Sequence, residues 1–190
     1  MSSLTSAAGQ NQPAEDLKAV VQSGRVSNNV YSNSHVGLKL KLPQNPPCDA
    51  KLNTFVNTAP PGPLGVTVLN CVHYVQGMAG MYTFTVSVEY PYPNASGTTD
   101  LLVRYKRHSL MVHNPTMHTV QTEQTRRIAD RDFVEIVMSN DLRSGGQYYL
   151  VATFTQFSRY LLMFQAAAPT VDAARALLKL DGKLDLSERH

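Results

Sequence analysis

The run Phe154–Pro169, FTQFSRYLLMFQAAAP, is the stretch on which the fold turns. Phe154, Phe157, Leu161, Phe164 and Ala168 recur at spacings of three and four, the period that gathers side chains on one face of an α-helix. Read this way, the run predicts an amphipathic helix broken by Pro169, whose ring removes a backbone donor. Beyond the break, VDAARALLKL (171–180) predicts a second, short helix.

Upstream the period is two. Val36, Leu38, Leu40 and Leu42 alternate with Gly37, Lys39 and Lys41 until Pro43, the pattern of a half-buried strand. A short strand is expected near 52–57, and APPGPLG (59–65) breaks the chain. Strands are expected again at 66–75 and 81–90, with a hairpin through Gly77–Gly80. In the second, Tyr82, Phe84, Val86 and Val88 oppose Thr83, Thr85, Ser87 and Glu89. After PYPNASG (91–97), Thr98 or Thr99 caps a short helix from Asp100 to about His108. A strand is the alternative there, since Leu101, Val103 and Tyr105 also alternate. Further strands are expected at 110–113, 118–125, 133–140 and 147–153, separated by NP, ADRD and RSGG turns.

Strands followed by a helix, twice over, make the expected class α+β. Residues 1–34, rich in Ser, Asn, Gln and Ala with one helical patch at 14–24, are expected to be a mobile arm. Residues 35–180 form a single domain, and 181–190 a polar, frayed C-terminal tail.

With 190 residues and 43% apolar content, the chain is long enough for one filled core. No apolar run reaches the roughly 18–20 residues of a membrane span. Cys48 and Cys71 lack zinc-site spacing and are too few for a disulfide framework, so reduced thiols in a reducing compartment or organelle matrix are expected. The first residues have neither a charged-then-apolar signal nor an Arg-rich transit pattern. A cytoplasmic protein, or one whose targeting segment is gone, fits equally.

No catalytic constellation stands out. There is no phosphate-binding loop, no GxGxxG after a strand, no GxSxG and no HExxH. His113 and His118 lack further metal ligands nearby. Asp130 and Asp132 read as turn chemistry, and NAS (94–96) as a chance match. The expectation is no enzyme, no catalytic residue, no cofactor and no metal.

The cations are more informative. Net charge is only +3, but between Val36 and Arg131 there are nine Lys or Arg against five Asp or Glu, and from Asp132 onward six against seven. Lys39 and Lys41 share one strand face. Arg104, Lys106 and Arg107 cluster around Tyr105, and Arg126 and Arg127 precede Arg131 at a turn. Such cations neutralise phosphates, and the hydroxyls of Thr83, Thr85 and Ser87 suit phosphate or ribose 2′-OH. The expected activity is sequence-tolerant binding of single-stranded RNA through its backbone.

The order of these passages resembles the Whirly superfamily. VGLKLKLP (36–43) is similar to its first strand and FTVSVEY (84–90) to its hydroxyl-rich strand. LMVHNP (110–115) stands where the family has an FFHDP-like segment. DFVEIVMSNDL (132–142) and YYLVATFTQFSRYLLMFQAAAP (148–169) resemble its strand-loop-strand-helix ending. The KGKAALS and YDW signatures of the plant branch are missing, so the resemblance points to the kinetoplastid mitochondrial guide-RNA-binding branch. It implies two antiparallel four-stranded sheets, each followed by a helix. It further implies a heterotetramer with a related subunit, a mitochondrial matrix location, and promotion of RNA annealing in mitochondrial RNA editing. Lys39, Lys41, Thr83, Thr85 and Ser87 would line the RNA surface, and the face of 154–168 would pack at the centre of the assembly.

Two rivals remain. Short strands with breaker-rich turns also suit the jelly roll of a small viral coat protein, and an OB-type single-strand binder would share the function.

Overall fold

A computed structural model describes residues 11–45, 47–53, 65–73, 82–90, 116–141 and 146–187. Its elements begin with helix α1 (Asn11–Gln22) and strands β1 (Gly24–Ser27), β2 (Val30–Asn33) and β3 (Leu38–Lys41). Strands β4 (Asp49–Leu52), β5 (Gly65–His73), β6 (Tyr82–Glu89), β7 (Met117–Ile128) and β8 (Arg131–Asp141) follow. The chain closes with β9 (Gln147–Phe157), β10 (Tyr160–Ala168), helix α2 (Val171–Leu177) and β11 (Leu184–Leu186).

Tight turns set the pairing. Asn28 and Asn29 both take positive φ, 49° and 60°, so a two-residue turn folds β1 onto β2 with the twist that hairpins favour. Ala129 and Asp130 do the same between β7 and β8. Two sheets result among the described residues. Four strands run β1-β2-β3-β11; seven run β4-β5-β6-β10-β9-β8-β7, every neighbour antiparallel. Among the described strands of the large sheet, β6 pairs with β5 and β10, whereas the next strand along the chain, β7, pairs with β8 at the other end of the order. The chain then returns through β8 and β9 until β10 pairs with β6.

Two sheets of four strands, each followed by a helix, are therefore not what forms. The expected helix at 154–168 is the error that propagates. Phe154 and Phe157 end β9, Ser158 turns at φ 54°, and Tyr160–Ala168 is the central strand β10. The five apolar residues that seemed to share a helical face belong to opposite faces of the sheet. Phe154 and Leu161 sit in one buried cluster, whereas Phe157, Phe164 and Ala168 sit in the other. A central strand covered on both sides is apolar throughout, and a continuous apolar run satisfies a helical period as easily as a strand.

The first cluster joins one face of the large sheet to Leu17 and Val20 of α1 and to Ala174 and Leu177 of α2. It also takes in the inward side chains Tyr31, Leu38, Leu40 and Leu184 of the small sheet. The second lies on the opposite face, where Met117, Val134, Ile136, Met138 and Met163 surround Phe154. Helix α2 starts where expected after Pro169, with Thr170 accepting from the Ala173 N–H as its N-cap. Residues 11–33 of the expected arm are helix and hairpin, with Leu17, Val20 and Tyr31 fully buried, and Leu184–Leu186 of the expected tail is a paired strand. The possible helix at 100–108 and the strand at 110–113 lie outside the described residues.

Cys48 and Cys71 are not free thiols. They form a disulfide that ties the chain entering β4 to β5, with Cα atoms 5.2 Å apart. The sequence spacing of 23 residues carries no recognisable signature; antiparallel pairing of β4 with β5 creates the proximity.

Closure of the small sheet depends on Gly37. Its φ is +81°, the Ser187 N–H donates to its carbonyl at 2.9 Å, and a Cβ there would lie 2.1 Å from the Ser187 carbonyl oxygen. Gly37→Ala is expected to destabilise the fold by about 2 kcal/mol or more, because both the backbone conformation and the space forbid a side chain. Urea unfolding of the variant checks this; a midpoint unchanged from wild type would mean that β11 does not seat on β3 as described.

Candidate anion-binding face

Cross-strand register gives Lys39 and Lys41 their neighbours. Arg25, Ser32, Lys39 and Asp185 lie opposite one another across β1, β2, β3 and β11, and Ser27, Val30 and Lys41 make the next row. Directly paired residues share a face. Since Leu38, Leu40 and Tyr31 point inward and are buried, these rows point outward. Asp185 is the one carboxylate in the two rows. Among the described residues, neither Lys39, Lys41 nor Lys183 reaches an ion-pair partner.

The second row ends at a pocket. The Lys41 N–H donates to the Lys183 carbonyl at 3.0 Å, and the Leu42 N–H to the Asn29 carbonyl at 2.9 Å. The Asn29 amide donates back to the Leu42 carbonyl at 3.1 Å. Fixed by these bonds, Asn28, Asn29, Lys41, Gln44 and Lys183 wall a cavity of about 280 Å³, with Val30 and Leu42 as its apolar part.

The other expected site residues are elsewhere or occupied. Thr83, Thr85 and Ser87 project from β6 on the face of the large sheet that carries Phe154 and Met163, away from the small sheet. Thr85 Oγ1 donates to Gln165 Oε1 at 3.3 Å, and buried Ser87 lies 3.2 Å from the Thr67 hydroxyl. Arg126 is held by Glu135 at 2.9 Å and Arg127 by Asp132 at 3.3 Å. Glu135, only 2% exposed, also takes Arg175 at 2.8 Å, so this carboxylate is a structural clamp between β7, β8 and α2. Arg104, Lys106 and Arg107 lie outside the described residues. The structure thus keeps Lys39 and Lys41 together and separates them from the hydroxyls and from the paired arginines.

Sequence reasoning missed Lys183, Asn28 and Asn29. A signal existed for each. Asp181-Gly182 followed by alternating Lys183-Leu184-Asp185-Leu186 reads as a turn and strand, and Asn-Asn between apolar residues as a hairpin.

A second polar constellation gathers around Asp16. This α1 carboxylate accepts from the hydroxyls of Tyr90 and Tyr160, from Arg159 and, at 2.8 Å, from His35 Nε2. Burial works against its charge, but the bonds from Tyr160, Tyr90 and His35 and the Arg159 charge outweigh it and hold the carboxyl below its ordinary pKa. With its oxygens already bonded four ways, Asp16 is a clamp between α1 and the ends of β6 and β10.

No protein-family model matches the chain, and no curated protein does. Its fold is similar to solved structures. One is the cyanobacterial PsbP (CyanoP) of Synechocystis, at 12% identity and a TM-score of 0.57, covering 83% of this chain and 91% of that one. Another is LpqN of Mycobacterium tuberculosis, involved in cell envelope biogenesis, at 11% identity and a TM-score of 0.50, covering 80% and 83%. The architecture is therefore PsbP-like, and the Whirly resemblance is overturned. Those of its strand passages that lie among the described residues are strands, but their pairing into one large antiparallel sheet, with a strand at 160–168, belongs to a different fold. At such identities the likeness shows the fold alone.

Proposed function

We propose that the chain is a binding protein for a phosphate-bearing polyanion, single-stranded RNA first among the candidates, which lies across the outer face of the small sheet. One observation carries the reading. Lys39, Lys41 and Lys183 adjoin on one face with Asp185 as the single carboxylate beside them and no ion pair among the described residues, whereas Arg126, Arg127 and Arg175 are each held by an acid. Clustered unpaired cations repel one another, and a bound phosphodiester chain relieves that repulsion while releasing condensed counterions. Ser27 and Ser32, on the same face, supply hydroxyls for the contacts that Thr83, Thr85 and Ser87 were expected to make.

Annealing of guide RNA, a related partner subunit and the mitochondrial matrix rested on the overturned resemblance and are not part of this proposal. The Cys48–Cys71 disulfide favours an oxidising compartment instead.

Filter binding of unrelated single-stranded RNAs across a salt series tests the proposal. Charge reversal of Lys39 and Lys41 together is expected to weaken every RNA by more than about tenfold. It should also flatten the plot of log K against log salt by about 1.4, since each phosphate contact contributes about 0.7 for single strands. Arg127→Gln, which alters a paired cation elsewhere, is expected to change little. Binding indifferent to salt, or untouched by the reversal, would remove this face from consideration.

A further inference from the structure

We infer that the pocket beside Lys41 receives a terminal phosphomonoester, so that the face holds the body of a strand while the pocket holds its phosphorylated end. The inference rests on the proposed chain-binding face and names what its concave end recognises.

Charge selects the ligand. Lys41 and Lys183 line the cavity, and no Asp or Glu does. An internal phosphodiester carries one negative charge and leaves one of these cations unmatched. A phosphomonoester carries roughly −1.5 to −2 at pH 7, because its second pKa is about 6, and matches both. Asn28 and Gln44 bring side-chain amides able to donate to the remaining phosphate oxygens. Size and lining agree. About 280 Å³ lies just below the usual range of ligand pockets and suits a small group such as a phosphorylated sugar. Val30 and Leu42 offer an apolar wall to the sugar. The backbone of the walls is held by the Leu42–Asn29 and Lys41–Lys183 bonds, so binding has only side chains to order.

The pH response follows from the ligand. The titratable side chains lining the cavity are Lys41 from β3 and Lys183 beside β11; the β1–β2 turn contributes Asn28 and Asn29, and no histidine or carboxylate lines it. Preference for a monoester end should therefore fade as pH drops below about 6 and the phosphate takes up its second proton.

The test compares oligonucleotides of one sequence carrying a 5′-phosphate, a 3′-phosphate or hydroxyl ends, by fluorescence competition at pH 7.5 and pH 5. At least one phosphorylated form is expected to bind about tenfold more tightly than the hydroxyl form at pH 7.5, with the ratio falling toward one at pH 5. Lys183→Glu should bring the ratio toward one at both pH values. In parallel, adenosine 5′-monophosphate titrated into isotopically labelled protein should shift the amide signals of Asn28 and Gln44. If oligonucleotides fail to bind but the mononucleotide still shifts those signals, the pocket assignment stands and the chain-binding proposal falls. If oligonucleotides bind with no end preference and the mononucleotide shifts nothing, the pocket assignment is overturned. A preference unaffected by Lys183→Glu overturns it as well.

Discussion

Met163→Lys is expected to unfold the protein or to destabilise it by at least about 3 kcal/mol, because it places an unpaired ammonium in a closed apolar cluster. Met163 is 4% exposed and packs in the cluster that includes Ile136, Phe154 and Leu161. It also pairs across to Phe154 on one side and Ser87 on the other, so a lysine there would be flanked by buried side chains on both neighbouring strands. The substitution separates the two readings of FTQFSRYLLMFQAAAP. On a helix built around Phe154, Phe157, Leu161, Phe164 and Ala168, residue 163 falls on the polar side with Gln156 and Arg159, where lysine is harmless. On β10 it is core. Gln156→Lys, at an exposed position of β9, is the control and is expected to stay within about 0.5 kcal/mol of wild type. Urea denaturation followed by circular dichroism measures both. A Met163→Lys protein as stable as wild type would rule out the central strand.

Removing the Asp16 carboxylate is the second large effect. Its side chain is 12% exposed and receives two tyrosine hydroxyls, an arginine and a histidine. Asp16→Ala leaves those donors facing an apolar gap and is expected to lose about 3 kcal/mol. The pH dependence has a definite sign. Asp16 titrates below its ordinary range in the folded protein, so its stabilisation is present above about pH 4 and disappears as pH falls through the lower, folded value. Tyrosines act at the other end. Burial pushes Tyr31 up to about 12, while burial and the bonds to Asp16 raise Tyr90 and Tyr160. The folded state keeps these protons after the unfolded state has lost them, so stability falls as pH rises above about 10. Asp16→Ala should flatten the acid limb and soften the alkaline one, with Tyr31 still titrating. Urea midpoints measured from pH 3 to pH 11 decide it. An acid limb identical in the variant would show that Asp16 is not the titrating clamp.

Much of the strand structure was legible because burial on one side only imprints a period of two. In β3 the leucines went in and Lys39 and Lys41 out, as the alternation required. In β6 Phe84, Val86 and Val88 face one cluster and Thr83, Thr85 and Ser87 the other side. Pro169 and Thr170 marked the start of α2 for a local reason, a missing donor followed by a capping hydroxyl.

The failures share a different cause. Strand β10 has a neighbour on each edge and apolar side chains buried on both faces, and Gln165 alone among its residues is too little to reveal the period. The polar look of residues 11–33 concealed a helix and hairpin that need only Leu17, Val20 and Tyr31 to be anchored. Cys48 and Cys71 gained meaning only when β4 paired with β5. Arg126 looked as available as Lys41 until folding set it against the buried Glu135.

By itself, then, the sequence determined the period of the half-buried strands, the turn at ADRD and the outward side of Lys39 and Lys41, because those follow from near neighbours along the chain. Tertiary structure alone decided that 154–168 is two strand segments around a turn at Ser158, and which cations are paired with carboxylates. It also decided that Lys183 comes to stand beside Lys41, a contact between the start and the end of the chain. Burial on both faces, ion pairing and cavity walls are properties of groups distant in sequence, and no local pattern encodes them.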